Sequence, residues 1–457
     1  MYKSKYISAK KQYLGKYYVM KGGDKALCMI KNCENKNVSH IKSFRHFCLN
    51  KNCLNYSKEH MNKYYHLESI FDNNSVNVNF TNFIKIKKDS NDVEQLNLNT
   101  SLRDVINIYK SVSTNYMDDK YDDVKFNHYG TTVFHKLQSN YICNYILNYG
   151  KEFYESLSKK SESIRESIDD DKFICKKLNL SNSSKIRIIG DIHSSIHSLT
   201  QILSSWIDDK FIDENWKLPP NHYVIFLGDL VDRGPYSLEV LYVALRLFNN
   251  NRKNVVILNG NHEDKDVYKR YSFSKEIVTQ LKSRKLSVWQ ILRSLPTILF
   301  IRRNDEIFCL CHGAIENNPE IKKQIIQFLA SDSTIKVFDL TQSQILNSTS
   351  KWGDFSFWDH TSIDLKTNRI QFGKKDVKEY LDELGIKMII SGHQDMESYA
   401  ILSDTIPTNY EKSKLYNLYV PDKKKNHIVP ENTYAIVTST ATVPRKLSHN
   451  TYIEISS

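Results

Sequence analysis

Glycine and proline are scarce in this chain, with 14 and 9 among 457 residues, about 3% and 2% where an average globular protein carries roughly 7% and 5%. The shortage excludes collagen-like and Pro/Gly-rich low-complexity architectures, and it makes each surviving glycine a suspect for a turn or close approach that needs one. Long apolar runs are missing as well. None reaches the ~18 residues that cross a bilayer, and stretches such as Thr297 to Ile301 read as buried strands. The opening MYKSKYISAKKQY lacks the apolar h-region of a secretory signal. The expectation is a soluble, intracellular, cytoplasmic protein with no membrane partner. Its eight cysteines would then stay reduced, available to metal or core rather than to disulfides.

What is present suffices for a large core: 40% hydrophobic and 12% aromatic residues over a length that suggests two or three domains. Asn, Lys, Ile and Tyr are plentiful, as in an AT-rich coding source such as a large DNA virus or a parasite, and a viral source would admit a virion location. Acidic residues are nearly lacking from one segment. Residues 1–63 hold 14 Lys/Arg against 3 Asp/Glu, so almost all of the chain's net charge of +12 belongs there.

Three regions separate by pattern. Residues 1–64 are basic and cysteine-bearing. Residues 65–180 read as mostly helical with a linker: Thr100 or Ser101 can cap a helix on which Leu102, Val105, Ile106, Tyr109 and Val112 recur at helical spacing. A longer helix is expected near Val133 to Ile168, with Tyr141, Tyr145 and Tyr149 as a packing stripe and KKSESIRESIDDDK as an exposed helix or linker. Cys143 and Cys175, in this helix or linker, read as core residues, as do Cys309 and Cys311 on one strand.

From residue 181 to 457 the character changes. Short apolar runs recur, KIRII, YVIFL, NVVIL, EIFCLC, IKMII and TYAIV, most of them followed by Gly and then polar or ionisable residues. This is the rhythm of buried strands whose carboxyl ends deliver functional side chains. At those ends stand Gly190-Asp191-Ile192-His193, Gly228-Asp229-Leu230-Val231-Asp232-Arg233-Gly234, Gly260-Asn261-His262-Glu263, His312-Gly313 and Gly392-His393. Carboxylate, imidazole and amide donors gathered from five strands suit a divalent metal site of mixed N and O ligands.

This set resembles the metallophosphoesterases, and within them the phosphoprotein phosphatase family of Ser/Thr protein phosphatases, whose signatures are GDxHG, GDxVDRG and GNHE followed by two separate histidines. The resemblance covers roughly residues 185–440. GDLVDRGPYSLEVL looks like the bacterial and phage branch, and Trp352-Gly353-Asp354 and Asn368-Arg369 with Phe372-Gly373 are similar to further family elements. It implies an α/β fold, a calcineurin-like β-sandwich flanked by helices, preceded by the N-terminal basic, cysteine-containing module and the helical region. It also implies a dimetal-dependent phosphomonoester hydrolase, a protein serine/threonine phosphatase working by direct attack of a metal-bridging hydroxide, with Mn, Fe or Zn as the two divalent ions. Asp191 and His193 would bind one metal, Asp229 would bridge to the second, and Asn261, His312 and His393 would complete the second site. His262 would protonate the leaving alkoxide with Asp232 orienting it, a role that matters for poor leaving groups. Arg233 and Arg369 would clamp phosphate oxygens through their planar guanidinium groups.

The pattern departs from the family at identifiable places. Ser194 replaces the glycine after GDxH, Asn259 the Arg before GNHE, and Lys265 the Arg that often follows it. Ser391-Gly392-His393 stands for RAH, and Ser439-Thr440-Ala441-Thr442-Val443 stands for SAPNY without its tyrosine. Two other functions stay open: a nucleotide or dinucleoside polyphosphate hydrolase, and a nucleic-acid-binding or scaffold protein with an inactive phosphatase domain.

In the basic segment Cys28, Cys33, Cys48 and Cys53 form C-x4-C-x14-C-x4-C. Two such pairs can hold one structural Zn through four thiolates, or the cysteines stay reduced in an irregular basic arm. The charge points to nucleic acid or an acidic protein as partner, or else to a solvated Lys-rich face with no partner.

Overall fold

The run Lys185–Ile189 carries the logic of the architecture. Ile186 and Ile188 point to one face, Arg187 and Ile189 to the other, and all four are buried. A strand buried on both faces needs a layer on each side. The structure is a computed structural model and describes residues 98–110, 145–146 and most of 172–456, together with four short strands between Lys21 and Cys48. The chain divides into two compact units, residues 1–83 and 84–457. In the first, Lys21–Gly22 pairs with Lys25–Ala26, and Val38–His40 pairs with His46–Cys48. Cys28, Cys33 and Cys53 lie outside the described residues, as does the side chain of Cys48, so the thiolate reading falls outside them too.

The second unit holds two main sheets. One is four-stranded, with β2 (Lys185–Ile189), β3 (His222–Phe226) and β4 (Val255–Ile257) parallel and β13 (Ile453–Ile455) antiparallel on the edge beside β2. The other is nine-stranded, and β1 (Phe173–Leu180), β5 (Ile298–Arg303), β6 (Glu306–Cys311), β8 (Met388–Ser391) and β12 (Thr433–Thr438) form its centre in the order β1-β5-β6-β8-β12. Beyond β1 lies β7 (Ile335–Phe338), and beyond β12 lie β9 (Tyr399–Ser403), β11 (Tyr419–Pro421) and β10 (Tyr410–Lys412).

Three apolar layers hold these parts together. Between the sheets, Ile186, Ile188, Ile225 and Leu258 meet Leu299, Ile301, Leu310, Ile390 and Ile436. Outside the four-stranded sheet, Val224, Phe226 and Ile257 pack under the helices α1 (Leu102–Lys110), α2 (Ile196–Asp208) and α3 (Ser237–Asn250). Outside the nine-stranded sheet, Phe300, Cys309, Cys311 and Ile389 pack under α4 (Pro319–Ala330) and α5 (Lys374–Leu384). The result is a helix–sheet–sheet–helix sandwich, the α/β fold class that the sequence implied.

Helix α1 is capped as its sequence suggests, by Ser101 rather than Thr100. The Ser101 hydroxyl accepts from Asp104 N–H at 3.1 Å, and Ser101 N–H donates to the Asp104 carboxylate at 3.2 Å. Such a reciprocal pair satisfies two donors that a helix start leaves open. Leu102, Val105, Ile106 and Tyr109 are all fully buried, and they share one core with α2 and α3. Tyr145 joins that core, its ring edge-on to Tyr242 at 5.0 Å. Val112, Tyr141, Cys143 and Tyr149 lie outside the described residues.

One segment differs from its sequence reading. Cys175, expected in helix or linker, sits on β1, which pairs parallel with β5. Lys176 and Lys177 interrupt the apolar alternation, but Lys177 is buried with its ammonium on the carbonyls of Phe328 at 3.2 Å and Leu329 at 3.4 Å, capping the end of α4. Cys175, Cys309 and Cys311 are buried free thiols, as the core reading expected. Among the described residues no helix is long and apolar enough to cross a membrane.

The two sheets join where the site begins. Asp191, just past β2, bridges in parallel to Ser439, just past β12, and Thr440 N–H donates to the Asp191 carbonyl at 2.9 Å. A Cβ on Gly190 would stand 2.1 Å from the Thr438 carbonyl oxygen, which no side chain permits. Gly190→Ala is therefore expected to destabilise the fold by about 3 kcal/mol through backbone displacement. Urea unfolding reads this directly; an unchanged midpoint would mean that the two strand ends are not in contact.

Candidate active site

The loops after β2 and β3 are laced side by side by backbone bonds. Ile192 and His193 N–H both donate to the Asp229 carbonyl, at 3.1 and 2.8 Å, and Ser194 N–H donates to the Leu230 carbonyl at 2.9 Å. Several residues here sit in the left-handed region without being glycine: His193, Ser194, Asp229, Asp232, Arg233 and His393. Each such residue costs on the order of 1–3 kcal/mol and persists only where its surroundings over-determine it.

One buried carboxylate supplies much of that determination. Glu263, 2% exposed, accepts Asp229 N–H at 2.8 Å, Leu230 N–H at 2.9 Å and Gly260 N–H at 2.7 Å, locking the loop after β3 to the one after β4. Burial and the charge of Asp229 raise its pKa to about 8. Sequence reasoning gave Glu263 no role, although it closes the GNHE motif.

Around this frame the expected ligands converge. Asn261 Oδ1 lies 2.9 Å from His312 Nε2 and 2.9 Å from His393 Nδ1, those two nitrogens are 3.3 Å apart, and Asp229 Oδ2 is 3.2 Å from His312 Nε2. On its other side Asp229 Oδ2 lies 3.5 Å from His193 Nε2, and Asp191 Oδ2 is 3.8 Å from the same nitrogen. Grouped by spacing alone, the donors form two sets, His193 with Asp229 and His262, and Asp229 with His312 and His393. Asp229 is common to both. Asp191 falls outside these two tightest sets, and His262 falls inside one of them.

Second partners orient the rings. His312 Nδ1 donates to the Leu227 carbonyl at 3.1 Å and His193 Nδ1 to the Val231 carbonyl at 3.3 Å, which leaves each Nε2 facing the cluster. Asp191 Oδ1 accepts His393 N–H at 3.0 Å, and this requires Gly392, where a Cβ would stand 2.2 Å from that oxygen.

The electrostatics suit cations. Burial works against a charge on His312, but Asp229, Asp191 and Glu263 outweigh it and raise the imidazole to about 9. Burial, Arg369 and His312 push the pKa of His393 well down, which disfavours a charge on its ring. Burial also opposes ionisation of Asp229, but the imidazoles of His312, His262 and His193 hold it well below the usual carboxylate range. A field that keeps a proton on a buried imidazole, beside neutral nitrogen and amide oxygen donors, fits divalent metal ions. These His and Asp groups could hold such ions.

The remaining predicted residues surround the cluster. His262 Nδ1 is 2.9 Å from Asp232 Oδ2, and Asp232 Oδ1 accepts Phe273 N–H at 2.9 Å. Burial raises the Asp232 pKa, with His262 pulling against it. Tyr271, unnoticed in the sequence, lies with its ring 4.7 Å from that of His262 and is 39% exposed, at the mouth of the site. Arg233 is partly exposed, with Nε buried and without a hydrogen-bond partner among the described residues. Arg369 lies across the cluster's rim, 3.8 Å from Asp354, whose pKa burial raises to about 6 against the pull of Arg369. Asp354 is in turn 3.9 Å from His393 Nε2, and Trp352 packs edge-on to the same ring at 5.9 Å.

Two departures from the family pattern turn inward. Asn259 donates to the Leu292 carbonyl at 2.8 Å, and Lys265 stacks over Trp289 at 4.1 Å, so both serve packing. A buried ion pair of Lys351 with Asp264 joins the segment after GNHE to the turn before Trp352. Ala441 to Val443 lie outside the described residues.

Residues 184–395 match the family model of the calcineurin-like phosphoesterases, and the second unit has that fold. A serine/threonine-protein phosphatase of Caenorhabditis elegans is 25% identical over 231 residues, 48% of this chain and 46% of that protein. The serine/threonine-protein phosphatase 4 catalytic subunit of Kluyveromyces lactis is 28% identical over 230 residues, 48% of this chain and 66% of that one. The chain thus spans less than two thirds of either relative. A solved protein serine/threonine phosphatase from Saccharomyces cerevisiae, with similarity to human phosphatase PP5, has a TM-score of 0.45 at 18% identity, covering 69% of this chain and 81% of its own. These relatives are eukaryotic, and the bacterial and phage likeness of GDLVDRGPYSLEVL finds no support in them.

Proposed function

We propose that the second unit is a metal-dependent phosphomonoesterase acting on phosphoserine and phosphothreonine in proteins. The observation that carries this is the buried cluster in which Asp229 belongs to both donor groups, with a carboxylate-paired imidazole, His262, beside it. The names of the relatives support the substrate class. Asp191, His193 and Asp229 would hold one divalent ion, and Asp229, Asn261, His312 and His393 a second, with Mn, Fe or Zn suited to these donors. Such ions, when bound, lower the pKa of water and neutralise charge on phosphoryl oxygens.

The chain's own groups do the rest. Arg233, with a guanidinium nitrogen still to be satisfied, binds a phosphate oxygen, and Arg369 leaves its loose contact with Asp354 to bind another. His262, held by Asp232, delivers a proton to the departing serine or threonine oxygen. Tyr271, its ring 4.7 Å from that of His262, would limit access of bulk water to the imidazole. The basic segment 1–64, with Cys28, Cys33, Cys48 and Cys53 as zinc thiolates, is carried as a separate module for an anionic partner, nucleic acid or acidic protein. Its support is charge and cysteine spacing alone.

The test is a side-by-side assay of the full chain on a phosphoserine protein and a dinucleoside polyphosphate, with metal analysis. Hydrolysis of the phosphoprotein, abolished by chelation and restored by added Mn, is the expected result, with two ions at the cluster and one at the cysteines. Preference for the dinucleotide, or activity indifferent to chelation, would overturn the reading.

A further inference from the structure

Ser194 stands where the resembled motif has glycine, and it adopts the glycine's backbone, with φ at +62°. Asp232 and Arg233, in the neighbouring loop, are left-handed too, at +68° and +65°. The side chain of Ser194 is fully buried between them and α3. Its Oγ lies 2.7 Å from Ser237 Oγ and 3.1 Å from the Asp232 carbonyl oxygen.

The protons can be counted. Ser237 Oγ donates its one hydroxyl proton to Glu276 Oε1 at 2.6 Å, since a carboxylate only accepts. The Ser237 oxygen is then an acceptor, facing Ser194 Oγ and, at 3.4 Å, Asp232 N–H. The single proton of Ser194 is accordingly shared between Ser237 Oγ and the Asp232 carbonyl. Glu276, 1% exposed, also accepts Ser237 N–H at 3.2 Å and Leu238 N–H at 3.1 Å, where α3 starts and the helix dipole favours a negative charge. A continuous chain runs from the start of α3 through Glu276, Ser237 and Ser194 to Asp232.

We propose that Ser194 is a positioning residue, tying the loop after β2 to Asp232 so that the Asp232 carboxylate is held against His262. The proposal rests on the proton-donor role given to His262 above. Glycine at 194 would accept the backbone conformation but supply no hydroxyl, and its added freedom would loosen the turn. Alanine would remove the tie and keep the left-handed strain.

Acting through His262, the tie has a signature that a merely structural residue lacks. Protonation of the leaving oxygen matters for serine alkoxide and little for p-nitrophenolate, which departs readily as an anion. Full-length Ser194→Gly, Ser194→Ala and Ser237→Ala, loaded with Mn, should be assayed on a phosphoserine peptide and on p-nitrophenyl phosphate, with thermal midpoints and inhibition by inorganic phosphate. The kcat for the phosphoserine peptide is expected to fall about tenfold and that for p-nitrophenyl phosphate by less than about twofold, with KM and phosphate inhibition unchanged. Equal losses on the two substrates, or a fully active and folded Ser194→Gly, would overturn the proposal. Should Ser194→Ala fail to fold, Ser237→Ala removes the acceptor of the same hydroxyl and reads the same split. Failure of the phosphatase reading is separate: it shows in the wild type, which would then leave the phosphoserine peptide uncleaved.

Discussion

Asp229→Asn is expected to lower kcat/KM for a phosphoserine peptide by about 10²–10³-fold, the scale on which a transition-state charge stabiliser is lost. The substitution keeps shape and removes charge. Asp229 Oδ1 accepts His262 N–H at 2.9 Å, and an amide oxygen can still do so. Asp229 Oδ2, 3.2 Å from His312 Nε2 and 3.5 Å from His193 Nε2, is the atom both donor groups share, and there a neutral amide is a poor substitute. The metal-free protein should unfold near the wild-type temperature, because losing the attraction to His312 is offset by losing the repulsion that raises Glu263. The rise in midpoint on adding Mn should shrink sharply, since ligand stabilisation follows RT ln(1 + [L]/Kd). Thermal melts with and without Mn, beside steady-state kinetics, check both halves. A variant that keeps wild-type activity and the full Mn-induced rise would remove Asp229 from the shared position.

This site was legible in the sequence because its geometry is unforgiving. Gly190 and Gly392 each face a backbone or carboxylate oxygen too closely for any Cβ, so the glycines that mark the loops cannot drift even in a chain poor in glycine. Strands such as Glu306–Cys311 were legible for a related reason, since burial on two faces leaves a continuous apolar run. Strand β1 was not. Lys177 lies inside it and satisfies its ammonium on the end of α4, a contact 151 residues away that no local pattern encodes. Glu276 and Tyr271 were hidden for the same reason. Each acts by tertiary contact, one on the start of α3 and the other on the ring of His262, and neither belongs to a strand-end motif. Ser194 was visible only as a missing glycine. The compensating hydroxyl network needed Ser237 and Glu276 to be brought beside it.

His262→Asn should separate the protein's two tasks of binding phosphate and expelling the leaving group. His262 is 2% exposed, braced on one side by Asp232 Oδ2 at 2.9 Å and on the other by the Tyr271 ring. Asparagine can keep a polar contact with Asp232 but offers no ring nitrogen to carry a proton to the leaving oxygen. The kcat for a phosphoserine peptide is expected to fall by about 10²–10⁴-fold, the usual worth of a positioned general acid. With p-nitrophenyl phosphate the loss should be far smaller, because its leaving group needs no proton. Metal content should stay at the wild-type level, and this matters because spacing alone puts His262 in a donor group with His193 and Asp229. If His262 were a ligand rather than a proton donor, the variant would lose metal and both substrates would suffer alike. Asp232→Asn supplies the companion measurement: it removes the charge that steadies a protonated imidazole, so it should shift the same leaving-group ratio in the same direction by a smaller factor, about tenfold to a hundredfold. An unchanged ratio in both variants, measured on folded and metal-replete protein, would take the proton-delivery role away from this pair.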